Sequence, residues 1–145
     1  MLASVRPDSW NLPLFVHVLG AMTLFGGTLA VAAFGWAAVR RPERELLAGV
    51  AFRTLLAVVL PAWIVMRVGA AWIESKEDIS GDPAWIGVGY IVSEPGLIVL
   101  LATIGVAYWA TRRRGAGWQP RAVAVLASLY LLALAVAWWS MSTKP

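Results

Sequence analysis

The chain has 145 residues, 60% of them hydrophobic and 14% charged, where soluble domains run at roughly 45 to 50% apolar and about 25% charged. Twelve Lys and Arg with eight Asp and Glu cannot clothe a water-facing surface of this size, and the absence of Cys removes disulfides, thiolate metal sites and cysteine nucleophiles. The net charge of +4 has no polar surface on which to form a nucleic-acid-binding stripe, so the placement of the basic residues along the chain has to account for it.

Four apolar runs follow one another: Leu12 to Val39, Leu46 to Ile73, Ala84 to Ala110 and Ala122 to Trp139. A helix needs about 20 residues to cross roughly 30 Å of hydrocarbon, and these runs of 18 to 28 meet that length. The third meets it only if it begins before Pro95, near Trp85, because Gly96 to Ala110 alone would reach only about 22 Å. The first run is too long for a cleaved signal peptide and leads straight into Arg40-Arg41-Pro42-Glu43-Arg44. The expected fold is therefore all-α: a single integral membrane domain over residues 1–145, an antiparallel four-helix bundle with helices at about 12–39, 46–74, 84–111 and 121–141.

Orientation comes from the short loops. Arg40, Arg41, Arg44, Arg112, Arg113, Arg114 and Arg121 lie on one side, against Arg6, Lys76 and Lys144 on the other, which also carries Asp8, Glu74, Glu77, Asp78 and Asp82. Seven against three places both termini outside, and makes the +4 a topology signal, with Arg112 to Arg114 also placed to meet anionic lipid. Trp10, Trp72, Trp85, Trp138 and Trp139 fall near the outer interface, Trp36, Trp109 and Trp118 near the inner one, and Trp63 deep. On helix one, Thr23/Gly27 and Gly26/Ala30 have the small-xxx-small spacing that lets backbones approach.

Four ionisable residues fall within the spans: His17, Arg53, Arg67 and Glu94. A charge at the helix centre costs at least about 2.5 to 3.5 kcal/mol on insertion scales, so each needs a reason. Arg53, about 14 Å beyond Arg44, can snorkel to the inner headgroups. His17 is about 7 Å past Leu12, Arg67 about 10 Å in from Glu74 and Glu94 about 14 Å in from Trp85, which puts all three in the outer half. Arg67 and Glu94 are expected to pair between helices two and three, either to fix helix register or to line a polar cavity in which Arg67 holds an anionic group such as a propionate or quinone oxygen. Pro61 removes the partner of the Ala57 carbonyl and Pro95 that of Ile91, and two bends at similar depth would open such a pocket.

His17 is the sole histidine. Its imidazole suits haem iron or copper, and Gly20, Ala21, Leu24 and Gly27 along the same face would leave a shallow trough for a flat macrocycle; the alternative is an interhelical hydrogen bond. A copper cage would have to draw on Met1, Met22, Met66 and Met141, which are scattered. With one histidine per chain, the second axial ligand of a haem would come from a symmetric dimer, a partner protein or Met as the sixth ligand. Ser93 stands beside Glu94 without a histidine on its own helix, so nucleophilic catalysis has little basis.

The run from Val16 to Gly27, VHVLGAMTLFGG, resembles the first helix of the CopD-like and HemJ-like bacterial membrane proteins, in which a histidine near the outer end is followed nine and ten residues later by two small residues, here Gly26 and Gly27. The resemblance implies a compact four-helix bundle in the bacterial cytoplasmic membrane. HemJ-like members bind haem and act in protoporphyrinogen oxidation, and CopD-like members are tied to copper uptake. By that resemblance His17 would be a haem or copper ligand; joined to the residue reading above, His17 would ligate haem b, with Gly20 and Gly27 along the trough, Arg67 neutralising a propionate and Glu94 orienting Arg67. The other readings are a non-catalytic accessory or scaffold subunit, and a copper or small-solute permease. A homo-oligomer or other membrane subunits are the expected protein partners. An enzyme, if the protein is one, would be a haem-dependent membrane oxidoreductase.

Because the chain has no native Cys, Lys76→Cys should react with a membrane-impermeant maleimide in intact cells. Labelling only after the inner face is opened would reverse the orientation read from the arginines.

Overall fold

The computed structural model describes residues 11–75, 84–112 and 117–142, and is all-helical over them. Four helices are long and apolar enough to span a membrane: α1 (Asn11–Arg40), α2 (Arg44–Glu74), α3 (Ala84–Arg112) and α4 (Gln119–Ser142). They match the four apolar runs, and α3 begins before Pro95, at Ala84, as its length requires. Of the residues used above, Met1, Arg6, Asp8, Trp10, Lys76, Glu77, Asp78, Asp82, Arg113, Arg114 and Lys144 lie outside the described residues.

The helix ends follow from local chemistry. Arg41 N–H closes the last turn of α1 on the Ala37 carbonyl, and the tight link to α2 holds Pro42, which has no N–H with which to continue the helix. At the other end of α2, Ser75 N–H bonds to the Ala71 carbonyl and its hydroxyl to the Trp72 carbonyl, satisfying two acceptors of the final turn. Pro120 stands in the first turn of α4, where a missing N–H costs nothing. The ends bearing Arg40, Arg44, Arg112 and Arg121 gather at one end of the bundle, here the basic end; Asn11, Glu74 and Ser142 belong to the distal end.

Inside, small residues replace the large aliphatic layers of a soluble core. Leu24, Val31, Val59 and Leu100 are fully enclosed among Ala32, Ala51, Ala62, Ala107, Val123 and Ala127. In lipid no hydrophobic drive separates core from exterior, so close van der Waals packing has to hold the helices together. Backbones meet where side chains vanish. A Cβ on Gly20 would sit 2.5 Å from Met66 N, one on Gly69 would sit 2.6 Å from His17 N, and one on Gly35 would sit 2.9 Å from Ala124 N. Gly27 also meets α2, at Val58 and Val59, whereas Gly26, its neighbour in the small-xxx-small pattern, faces open space. The outside is the reverse: Met22, Ile91, Ile98, Leu132, Trp138 and Trp139 are each more than 60% exposed, a surface suited to acyl chains.

The helices form a ring in which α1 touches α2 and α4, and α4 touches α3. The fourth side is incomplete. Only the basic-end half of α2, Arg44–Thr54, packs closely on α3, while Leu60–Glu74 leans on α1. Between the halves α2 opens into a π turn, Leu55–Val59, with Leu60 N–H bonded to the Leu55 carbonyl. Pro61 is the cause in the sequence: it has no N–H for the Ala57 carbonyl, and its ring crowds the preceding turn. The distal half of α2 thus stands away from α3, and this lateral gap is called the cleft below.

Gly20→Ala should lower unfolding stability in detergent by about 1 to 3 kcal/mol, the usual overpacking cost, because its Cβ would meet backbone that cannot swing aside. Gly26→Ala serves as the control and should leave the midpoint unchanged.

Candidate functional site

Polar side chains in the spans mostly satisfy themselves locally. Thr28, Thr103 and Ser128 each donate to the carbonyl four residues earlier, at 2.7 Å, the cheapest partner available in hydrocarbon. Two groups instead reach across helices in the distal half, and the structure keeps them apart.

The first is His17. It continues the buried α1 stripe of Pro13, Gly20, Leu24 and Gly27, and its Nδ1 lies 3.0 Å from the Met66 carbonyl oxygen. A carbonyl only accepts, so Nδ1 carries a proton, and in the neutral ring the lone pair is on Nε2. The interhelical hydrogen bond considered from the sequence is therefore present. The expected trough is not open: Gly20 is filled by the Met66 backbone, Gly27 by Val58 and Val59, and Leu24 is fully enclosed. A macrocycle does not fit against this face, because α2 occupies it. Copper ligation fares no better, since Met66 is buried in the core while Met22 is 70% exposed. Among the described residues, no three of His, Cys, Asp and Glu come together.

The second is the Arg67–Glu94 pair across the cleft. The guanidinium Nη2 stands 3.7 Å from Glu94 Oε1, with Arg67 26% and Glu94 63% exposed. Helical spacing builds the cluster: Trp63 and Arg67 share one face of α2, and Tyr90 and Glu94 share one face of α3, each at i,i+4. Arg67 Cζ lies 5.3 Å from the Tyr90 ring centroid. Trp63 Nε1–H donates to the Ser93 carbonyl at 3.2 Å, and Tyr90 also has Glu74 as an electrostatic neighbour. Long side chains thus bridge the gap that the backbones leave. Tyr90 and Trp63 were not singled out as site residues from sequence, although their i,i+4 spacing to Glu94 and Arg67 carried the signal.

No hydrogen bond, ion pair or ring contact joins His17 to Arg67 or Glu94 among the described residues. Adjacent residues on a helix point about 100° apart, and Met66 faces α1 while Arg67 faces α3. Equal depth did not bring them into one pocket. Arg53 is exposed on the basic-end half of α2, as snorkelling requires. Ser93 Oγ is buried without a hydrogen-bond partner, so no base is in place to activate it as a nucleophile.

Comparison of the chain with protein-family models, with curated proteins and with solved structures finds no match.

Proposed function

We propose that the protein is a small multi-pass subunit of the bacterial cytoplasmic membrane that works by assembly, with the α2–α3 cleft as the surface on which another membrane segment docks. One observation carries this reading. The Glu94 carboxylate is 63% exposed and the Arg67 guanidinium 26% exposed, both well inside the spans. Lipid tails offer these charges no hydrogen bonds, and intramembrane ionisable groups are tolerated chiefly where protein or water covers them. A docked segment covers the pair and adds the hydrogen bonds that a 3.7 Å contact does not make. Arg67 and Glu94 then serve as assembly residues rather than as holders of a propionate.

A second reading keeps haem b at His17. It is supported by the Nδ1–H to carbonyl contact, which fixes the tautomer that leaves Nε2 for a metal, as the second partners of metal-ligating histidines do. It has lost the Gly20–Gly27 trough and the link to Arg67.

Solubilised gently from its own membrane, the wild-type protein should run in native mass measurements as a particle larger than one chain, and Glu94→Ala should shrink that particle. A wild-type single chain would overturn the assembly reading. For the second reading, protein expressed with a haem precursor should show a Soret band that disappears in His17→Ala; a colourless wild type, or an unchanged band in the variant, would remove haem.

A further inference from the structure

The geometry points to a second copy of this chain as the occupant of the cleft, in a parallel two-fold dimer that packs α3 against α3 and closes a four-membered ring of Arg67 and Glu94 from both chains. This inference rests on the assembly reading and names its partner.

The outward face of α3 carries the first sign. Ile91, Glu94, Ile98, Leu101 and Gly105 follow at alternating three- and four-residue steps, the a/d spacing of a helix seam. All are turned outward: Ile91 is 68%, Ile98 69% and Leu101 52% exposed, and Gly105 has nothing within 4 Å of its Cβ position. Apart from Glu94, which reaches Arg67 across the cleft, the large side chains of this seam are left outside the chain's own core. Branched residues at a with Leu at d favour two parallel strands, and a small residue at Gly105 lets two backbones approach where the seam continues toward the basic end.

Charge supplies the second sign and selects the occupant. Arg67 and Glu94 lie side by side at one level of the bundle, opposite in sign. A two-fold axis along the membrane normal keeps that level and reverses left and right, so each Arg67 meets the other chain's Glu94. Two Glu94 side chains meeting in the seam would repel on their own; the two guanidinium groups neutralise them, and the ring has no net charge. No hydrogen bond to the Arg67 guanidinium or the Glu94 carboxylate is formed within one chain among the described residues. The second chain provides acceptors for Arg67 and donors for Glu94, in the bidentate manner suited to this pair. A different subunit would have to bring its own acid and base at the same depth, whereas this chain already complements itself.

The test uses the full chain in its membrane, and the lack of native Cys makes it clean. Ile98→Cys should cross-link to a dimer under mild oxidation, and Leu129→Cys, exposed on α4, should not. Gly105→Leu adds bulk at a position open in one chain and should reduce the Ile98→Cys cross-link at least fivefold. Arg67→Glu and Glu94→Arg, each in the Ile98→Cys background, should lose the cross-link when expressed alone and regain it when expressed together, because only the mixed pair restores two acids and two bases. An ion pair acting within one chain would show no such rescue on mixing. Absence of the Ile98→Cys cross-link, or failure of the mixed pair to regain it, overturns the dimer. If the native particle is still larger than one chain, a different subunit fills the cleft and the assembly reading stands; if it is a single chain, both fall.

Discussion

The contact between α1 and α2 in the distal half determines most of what is unusual in this bundle. Gly20 admits the backbone at Met66, and Gly69 admits the backbone at His17, so the two helices touch main chain to main chain where side chains would ordinarily keep them apart. In a membrane this contact counts for more than in water, because close packing rather than apolar burial supplies the attraction. It has a geometric consequence. A helix drawn onto α1 along this line moves away from α3, and the π turn before Pro61 gives α2 the local change of pitch to do so. The cleft, its bridging side chains and the sealed Gly20–Gly27 face all follow from that displacement.

The polar residues divide according to the same geometry. His17 lies on the tight seam, where space allows one short hydrogen bond to the Met66 carbonyl. Arg67 and Glu94 lie on the loose side, where a guanidinium, a carboxylate and two aromatic rings span what the backbones leave open. A functional reading that needs all three in one pocket conflicts with helical geometry, since Met66 and Arg67 are neighbours in sequence and face different helices. A reading that needs only the loose side agrees with it, and also accounts for a carboxylate held outward within an apolar span.

Core hydroxyls show how strictly the spans account for polarity. Thr28, Thr103 and Ser128 return their protons to their own helices. Ser93 and Tyr130 do not: both are buried, and neither hydroxyl has a partner among the described residues. Each lies close to Gly96 on α3, Ser93 one turn away along the helix and Tyr130 across from it, its ring 2.6 Å from where a Cβ would stand. An unsatisfied buried hydroxyl costs roughly 1 to 3 kcal/mol.

The sequence by itself determined the number and limits of the helices and the start of α3 ahead of Pro95, and it made Glu94 a candidate partner for Arg67 that only the structure brings into contact. These depend on sums along one dimension: apolar length against bilayer thickness, and the cost of a lone charge in hydrocarbon, which calls for a counter-charge without naming it. It also contained the π turn, in the missing N–H of Pro61, without making it evident. What only the tertiary structure decided is which faces meet. Gly20 and Gly27 read equally well as a macrocycle trough or a packing surface, because a run of small residues records that something comes close and not what it is. The answer required α2 in place. His17 was ambiguous for the same reason, since depth is fixed by counting residues along a helix, while direction around it becomes meaningful only once the neighbouring helix is known.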